Sequence, residues 1–194
     1  MAISPHAFQQ LILMLEKLMP LSSVVKVMLI DMVFEEVSKK GTRILNQREI
    51  QKRLWFIFDG SAREFKEDKN AEVQEQTLWF SFNGDLLYTI PGFFSETAAP
   101  SSIELLEDSH LIYMNVEDYL RLEKEMDFLF KKIRDHYDAV RQEYQRNRLH
   151  LSGKQKYLQL FTAHPSLFNN AKMKDIAYFL GISPNSLSRF RKDN

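Results

Sequence analysis

The residues best suited to chemistry lie near the end of the chain, between Lys174 and Arg191. Ile176, Phe179 and Leu180 recur there at helical spacing, and Ala177 is small enough to let two helices cross closely. Gly181 suits the left-handed position that closes a helix. Ser183 then caps a second helix with Pro184 at its first position, anchored by Leu187 and Phe190. Asn185, Ser186, Ser188, Arg189 and Arg191 are left on its outer faces. An amide and hydroxyls near a helix start can reach base edges or phosphates, and an arginine can bond guanine through two hydrogen bonds. The pattern predicts a helix-turn-helix whose second helix enters the major groove of double-stranded DNA. A capped helical hairpin with a polar outer face is the plainer alternative.

Charge helps to separate the two. The 194 residues carry 26 Lys+Arg and 26 Asp+Glu, a formal charge of zero. That zero is a sum of unlike parts. Up to residue 130 there are 13 basic against 21 acidic residues, and from 131 onward 13 against 5. Residues 152–194 alone hold 7 against 2. A basic end of this kind favours a polyanionic partner.

Other chemistries find little support. There is no cysteine, which excludes disulfides, thiol nucleophiles and thiolate-bound metal or iron–sulfur centres. His6, His110, His136, His150 and His164 are scattered, with no pair at ligand spacing. No phosphate-cradling glycine loop, nucleophile elbow or HExxH pattern occurs. Glu107-Asp108 and Glu117-Asp118 read as solvated acidic pairs. No catalysis, metal or cofactor is expected; a metal-binding jelly-roll enzyme is the least supported reading, behind a protein-interaction module. No apolar run reaches a membrane span and the start lacks a signal peptide's features, so a cytoplasmic protein without membrane contact is expected.

The elements that must position these residues are legible in outline. Ser4-Pro5 opens a helix with Phe8, Leu11, Ile12, Leu15 and Leu18 on one stripe, and Pro20 ends it. A short helix follows from Leu21-Ser22-Ser23 to about Leu29. From Val33 the period changes to two. Strands are expected from Leu54 to Phe58, Ala62 to Phe65, Val73 to Phe82, Ile103 to Leu106 and Leu111 to Met114, with turns at 39–42, 59–60 and a hairpin tip at 68–70. Short strands without interleaved helices suggest an antiparallel jelly roll. A helix then runs for some 35 residues from Val116. On it Met126, Phe130, Ile133, Tyr137, Val140, Tyr144, Asn147 and Leu151 alternate spacings of four and three. That heptad seam predicts a homodimer through the same helix of a second copy, the alternative being that it packs along its own barrel. Ser152-Gly153-Lys154-Gln155 is a capping box opening the next helix. The expected fold is α+β. An antiparallel jelly roll with flanking helices occupies 1–115, a long dimerisation helix 116–150, and a small, winged-helix-like helix-turn-helix unit 151–194.

This layout resembles the Crp/Fnr family of bacterial transcription regulators, along essentially the whole chain. The matching phrases are Ile176-Ala177-x-x-Leu180-Gly181-Ile182-Ser183-Pro184-x-x-Leu187-Ser188-Arg189, Ile103-Glu104-Leu105-Leu106-Glu107-Asp108, Lys40-Gly41 and Phe56-Ile57-Phe58-Asp59-Gly60-x-x-Arg63. The resemblance implies a homodimer that binds a small effector in a cyclic-nucleotide-binding-like barrel, reads an inverted-repeat DNA site and contacts RNA polymerase. It carries Asn185, Ser186 and Arg189 over as base or phosphate contacts.

The ligand cassette departs from the family. Its Gly-Glu pair for the ribose falls on Tyr88-Thr89, and its phosphate-binding arginine falls near Ala99-Pro100, while Gly84-Asp85 only imitates the pair. Gly84, Asp85, Tyr88, Thr89, Ser101 and Ser102 are the candidate pocket positions. Between Asn70 and Leu120 there is no Lys or Arg, against nine Asp+Glu. A buried phosphodiester needs a cation or many N–H donors. Arg43, Arg48, Arg53 or a partner subunit is the alternative source of that cation; the expectation is that the barrel does not bind cyclic AMP in the family manner.

Overall fold

The structure is a computed structural model that describes residues 1–68, 70 and 74–192. The chain opens with α1 (Pro5–Leu18), whose N-cap Ser4 accepts a hydrogen bond from the Ala7 amide, and α2 (Ser23–Ile30), capped in the same way by Ser22. Eight strands follow among the described residues: β1 (Val33–Ser38), β2 (Arg43–Leu45), β3 (Arg53–Asp59), β4 (Ala62–Glu67), β5 (Glu75–Ser81), β6 (Leu86–Leu87), β7 (Ser102–Leu105) and β8 (Ser109–Asn115). They form two four-stranded antiparallel sheets, ordered β1-β8-β3-β6 and β2-β7-β4-β5. The expected jelly roll is present. The short β2 and β6 were not anticipated, because three and two residues carry no readable alternation. The expected hairpin tip at 68–70 and the start of its return strand at Val73 lie partly outside the described residues.

Strand β3 shows why its apolar run is unbroken. Leu54 and Phe56 face the helices, while Trp55 and Ile57 face the barrel interior. Both faces are buried, so period two gives way to continuous hydrophobicity. On the helical side, α1 packs with α3 (Val116–His150) over β3 and β8 through Leu11, Leu15, Phe56, Ile112, Leu122, Phe130 and Ile133. Inside the barrel Leu45, Trp55, Ile57, Ile103, Leu105 and Leu111 interlock.

The C-terminal helices are α4 (Gly153–Ala163), α5 (Leu167–Asn170), α6 (Met173–Leu180) and α7 (Pro184–Lys192). Ser152 and Gln155 form the capping box expected at the start of α4. Among the described residues this unit contains no strand. Its core, built on Tyr157, Phe168, Ile176, Ala177, Leu180 and Leu187, is continuous with Phe80 and Leu106 of the barrel. The C-terminal unit is therefore docked on the outer face of the second sheet.

Candidate nucleic-acid interface and barrel interior

Helices α6 and α7 meet through a tight turn. Gly181 closes α6 at φ +68°, a left-handed conformation that glycine adopts without strain. The Ser183 hydroxyl accepts a 3.1 Å hydrogen bond from the Ser186 amide and caps α7. Ile176, Ala177 and Leu187 are fully buried where the helices cross. Asn185, Ser188, Arg189 and Arg191 are exposed on α7, and Ser186 is half-exposed beside its cap. Among the described residues Arg189 forms no ion pair. Arg191 is turned back toward the Met173 sulfur of α6, at 3.3 Å. Asn185, Ser188 and Arg189 thus stand on one short helix, held from behind by an apolar anchor and open in front.

That helix pair is fastened to the barrel by a group the sequence did not single out. Arg63 on β4 and Asp175 on α6 are each 1% exposed. The Arg63 guanidinium donates to Glu75 at 2.7 Å, Glu104 at 2.7 Å and Asp175 at 3.0 Å, and lies over the Phe65 ring. Burial works against its charge, but the three carboxylates outweigh that and raise its pKa. Burial pushes the Asp175 carboxyl up, with Arg63 pulling it the other way. The Tyr144 hydroxyl of α3 adds a 2.7 Å hydrogen bond to the Phe179 carbonyl, with the two rings stacked at 4.6 Å.

Of the expected pocket residues, Ser101, Ser102 and Asp85 have partners of their own. Ser101 donates to Glu64 at 2.6 Å, and Arg141 reaches in from α3 to the other Glu64 oxygen at 2.9 Å. Ser102 accepts from the Gln47 amide at 2.9 Å and lies 3.2 Å from Glu67. Gly84, at φ +91°, and Asp85 form the turn before β6; Asp85 accepts from the Phe82 amide at 2.8 Å, and burial pushes its carboxyl up. Tyr88 and Thr89 are buried, and neither hydroxyl has a protein partner. The void enclosed by Glu64, Tyr88, Ile103, Tyr137 and Arg141 is about 10 Å³. That is room for one water.

The seam residues of α3 are used within the single chain. Met126, Phe130 and Ile133 are buried in the core over β3 and β8. Tyr137 accepts from the Leu86 amide at 2.7 Å, and Tyr144 packs on Trp79 and Phe179. Val140 is 37% exposed, while Asn147 and Leu151 line the junction with α4. The packing of the helix along its own barrel accounts for most of the heptad pattern. Among the described residues no group of three or more His, Asp or Glu side chains is placed to hold a metal ion. Nor is any described helix long and apolar enough to cross a membrane.

No family model and no curated protein matches the sequence. Solved structures do match the fold. FixK2 from Bradyrhizobium japonicum superposes with a TM-score of 0.66 at 13% identity, over 83% of each chain. The c-di-GMP-responsive global regulator CLP from Xanthomonas campestris gives 0.61 at 13% identity, over 86% of this chain and 88% of that one. The catabolite activator protein of Thermus thermophilus gives 0.52 at 18% identity, over 98% and 83%. With two antiparallel sheets closed as a jelly roll, a long connecting helix kinked at Met126 and a helical C-terminal unit, the chain has the Crp/Fnr-like cyclic-nucleotide-binding fold.

Proposed function

We propose that the chain is a DNA-binding transcription regulator of Crp/Fnr type that works as a homodimer. Helix α7 serves as the recognition helix, and two copies of it read an inverted repeat about one DNA turn apart, roughly 34 Å. The observation that carries this reading is the presentation of Asn185, Ser188 and Arg189. They are exposed side by side on a helix whose opposite face is buried, at the end of a segment with 7 basic and 2 acidic residues. Arg189 supplies the bidentate base contact, Asn185 and Ser186 act at the helix start, and Ser188 and Arg191 add phosphate contacts. Contact with RNA polymerase and a cytoplasmic location accompany this role.

Arg141, the cation that enters the barrel, is already neutralised by Glu64, and the void beside that pair is far too small for a cyclic nucleotide. The larger cavity of about 280 Å³ beside Tyr88 and Thr89 sets Arg134 against Asp138 and has an apolar, aromatic wall in Tyr88 and Phe94. Cyclic AMP accordingly finds no unpaired cation beside Glu64, among the described residues, to meet its phosphate.

The test is selection of bound duplexes from a random pool, followed by fluorescence anisotropy on the winning sequence. Affinity falls steeply with salt, and Arg189→Ala costs about 1–3 kcal/mol and relaxes discrimination at one base pair. Cyclic AMP at micromolar concentration leaves both the calorimetric baseline and the DNA affinity unchanged. DNA binding that ignores salt and Arg189 would favour a protein-interaction module on the same fold.

A further inference from the structure

A roomy cavity that combines several aromatic walls with positive charge lies outside the barrel, where the barrel, α3 and the C-terminal unit meet. Its volume is about 240 Å³. Trp79 and Phe82 from the barrel, Tyr144 from α3, Leu160 from α4 and Phe179 from α6 form its walls. These walls are fixed by one another. Trp79 meets Tyr144 edge-on at 5.2 Å, Tyr144 stacks on Phe179 at 4.6 Å, and Phe82 stacks on His164 at 3.4 Å.

Its charge is one-sided. Arg148 and Lys156 both line it, from the end of α3 and the start of α4, and no lining residue is Asp or Glu. Among the described residues neither cation forms an ion pair. Burial also holds the His164 pKa below its usual range, so the imidazole on the cavity wall favours its neutral form. Arg148 has a further placement. A Cβ added to Gly181 would lie 3.0 Å from its guanidinium, so Arg148 lies against the turn that carries α7.

We infer that this junction is a binding site for a small organic acid, an aromatic or bulky apolar body bearing one carboxylate. The body fills the aromatic cleft, where apolar area is removed from water. The carboxylate meets Arg148 in a two-pronged ion pair, with Lys156 beside it. Such a ligand touches β5, α3, α4 and α6 at once, and it would fix how the helix-turn-helix unit sits on the barrel. The binding itself stands apart from the DNA-binding reading; only its consequence, a change in DNA affinity, rests on that reading.

The experiment uses the full chain without DNA and 2-naphthoate as the probe. Calorimetry follows a titration with 2-naphthoate and, separately, with the neutral 2-naphthalenemethanol. The expected result is saturable one-to-one binding of the acid, with the alcohol about tenfold weaker or worse. Arg148→Gln and Lys156→Gln each weaken the acid about tenfold while leaving the unfolding temperature in place. Ala163→Phe, which projects a ring into the cavity, blocks it. The inference is overturned if the acid fails to saturate at millimolar concentration, if acid and alcohol bind equally, or if both glutamine variants bind like the parent. It is also overturned if Arg189→Ala abolishes acid binding, which would place the probe on α7. DNA affinity that does not respond to a bound acid would remove the regulatory consequence and leave the site.

Discussion

Arg63 and Asp175 are 112 residues apart in sequence and 3.0 Å apart in space. Buried ion pairs of this kind add little net stability, because desolvation offsets their attraction, but removing one partner strands the others. Arg63→Met should therefore cost about 3–5 kcal/mol, read as a loss in denaturant midpoint, since Glu104 and the buried Asp175 would lose their cation and Glu75 would keep only Arg43. A variant within 1 kcal/mol of the parent, on the order of one exposed ion pair, would show that the cluster is not a clamp. The arginine was visible in the sequence only as part of a barrel phrase, and Asp175 only as a polar residue in a helix. Nothing local marks either as buried. By contrast, Ser183, Gly181 and Leu187 were readable as cap, turn and anchor, because each acts on its own neighbours in the chain.

At the scale of one element, α3 shows what a period can and cannot reveal. Its 35 residues and its spacing of fours and threes were legible. Its partner was not, because a helix lying on a sheet and a helix lying on a twin both bury one stripe. The structure gives the stripe to the barrel through Met126, Phe130, Ile133 and Tyr137, and to the C-terminal unit through Tyr144. Arg141 enters the same stripe as a charge and still finds a carboxylate, Glu64. What remains outward on α3 includes Leu120, Leu149 and Phe128, the last 59% exposed. If the proposed homodimer uses that outward face, Phe128→Glu shifts sedimentation from dimer toward monomer, whereas Val140→Glu, nearer the barrel side, does so less. A parent chain that sediments as a monomer at tens of micromolar would remove the dimer from the proposal.

For the whole molecule, the continuity of the core from Phe80 and Leu106 into Ile176 and Leu180 predicts cooperative unfolding. Calorimetry at pH 7.5 should show one transition, and two separated peaks would contradict it. His164 adds a pH dependence to the docking. Burial lowers its pKa from 6.5, so the unfolded chain binds a proton more readily than the folded one. Its contribution is complete above pH 6.5 and is lost as pH falls from there through the lower folded value. The midpoint should drop over that window, and less so in His164→Gln; equal drops would exonerate the histidine.

The sequence by itself determined the helices with caps, the strand-rich middle, the turn at Gly181 and the outward set on α7. These follow from interactions among near neighbours and from periodicity. It also revealed that the formal charge of zero conceals an acidic front and a basic end. Only the tertiary structure decided which long-range partners meet. It gave Arg141 to Glu64 and so filled the barrel, gave Arg63 to Asp175 and so fastened the helix pair, and left Arg148 and Lys156 together at an aromatic cleft. Those outcomes depend on which residues distant in the chain are brought within a few ångströms, and burial then turns each such meeting of charges into an energy that local pattern does not record.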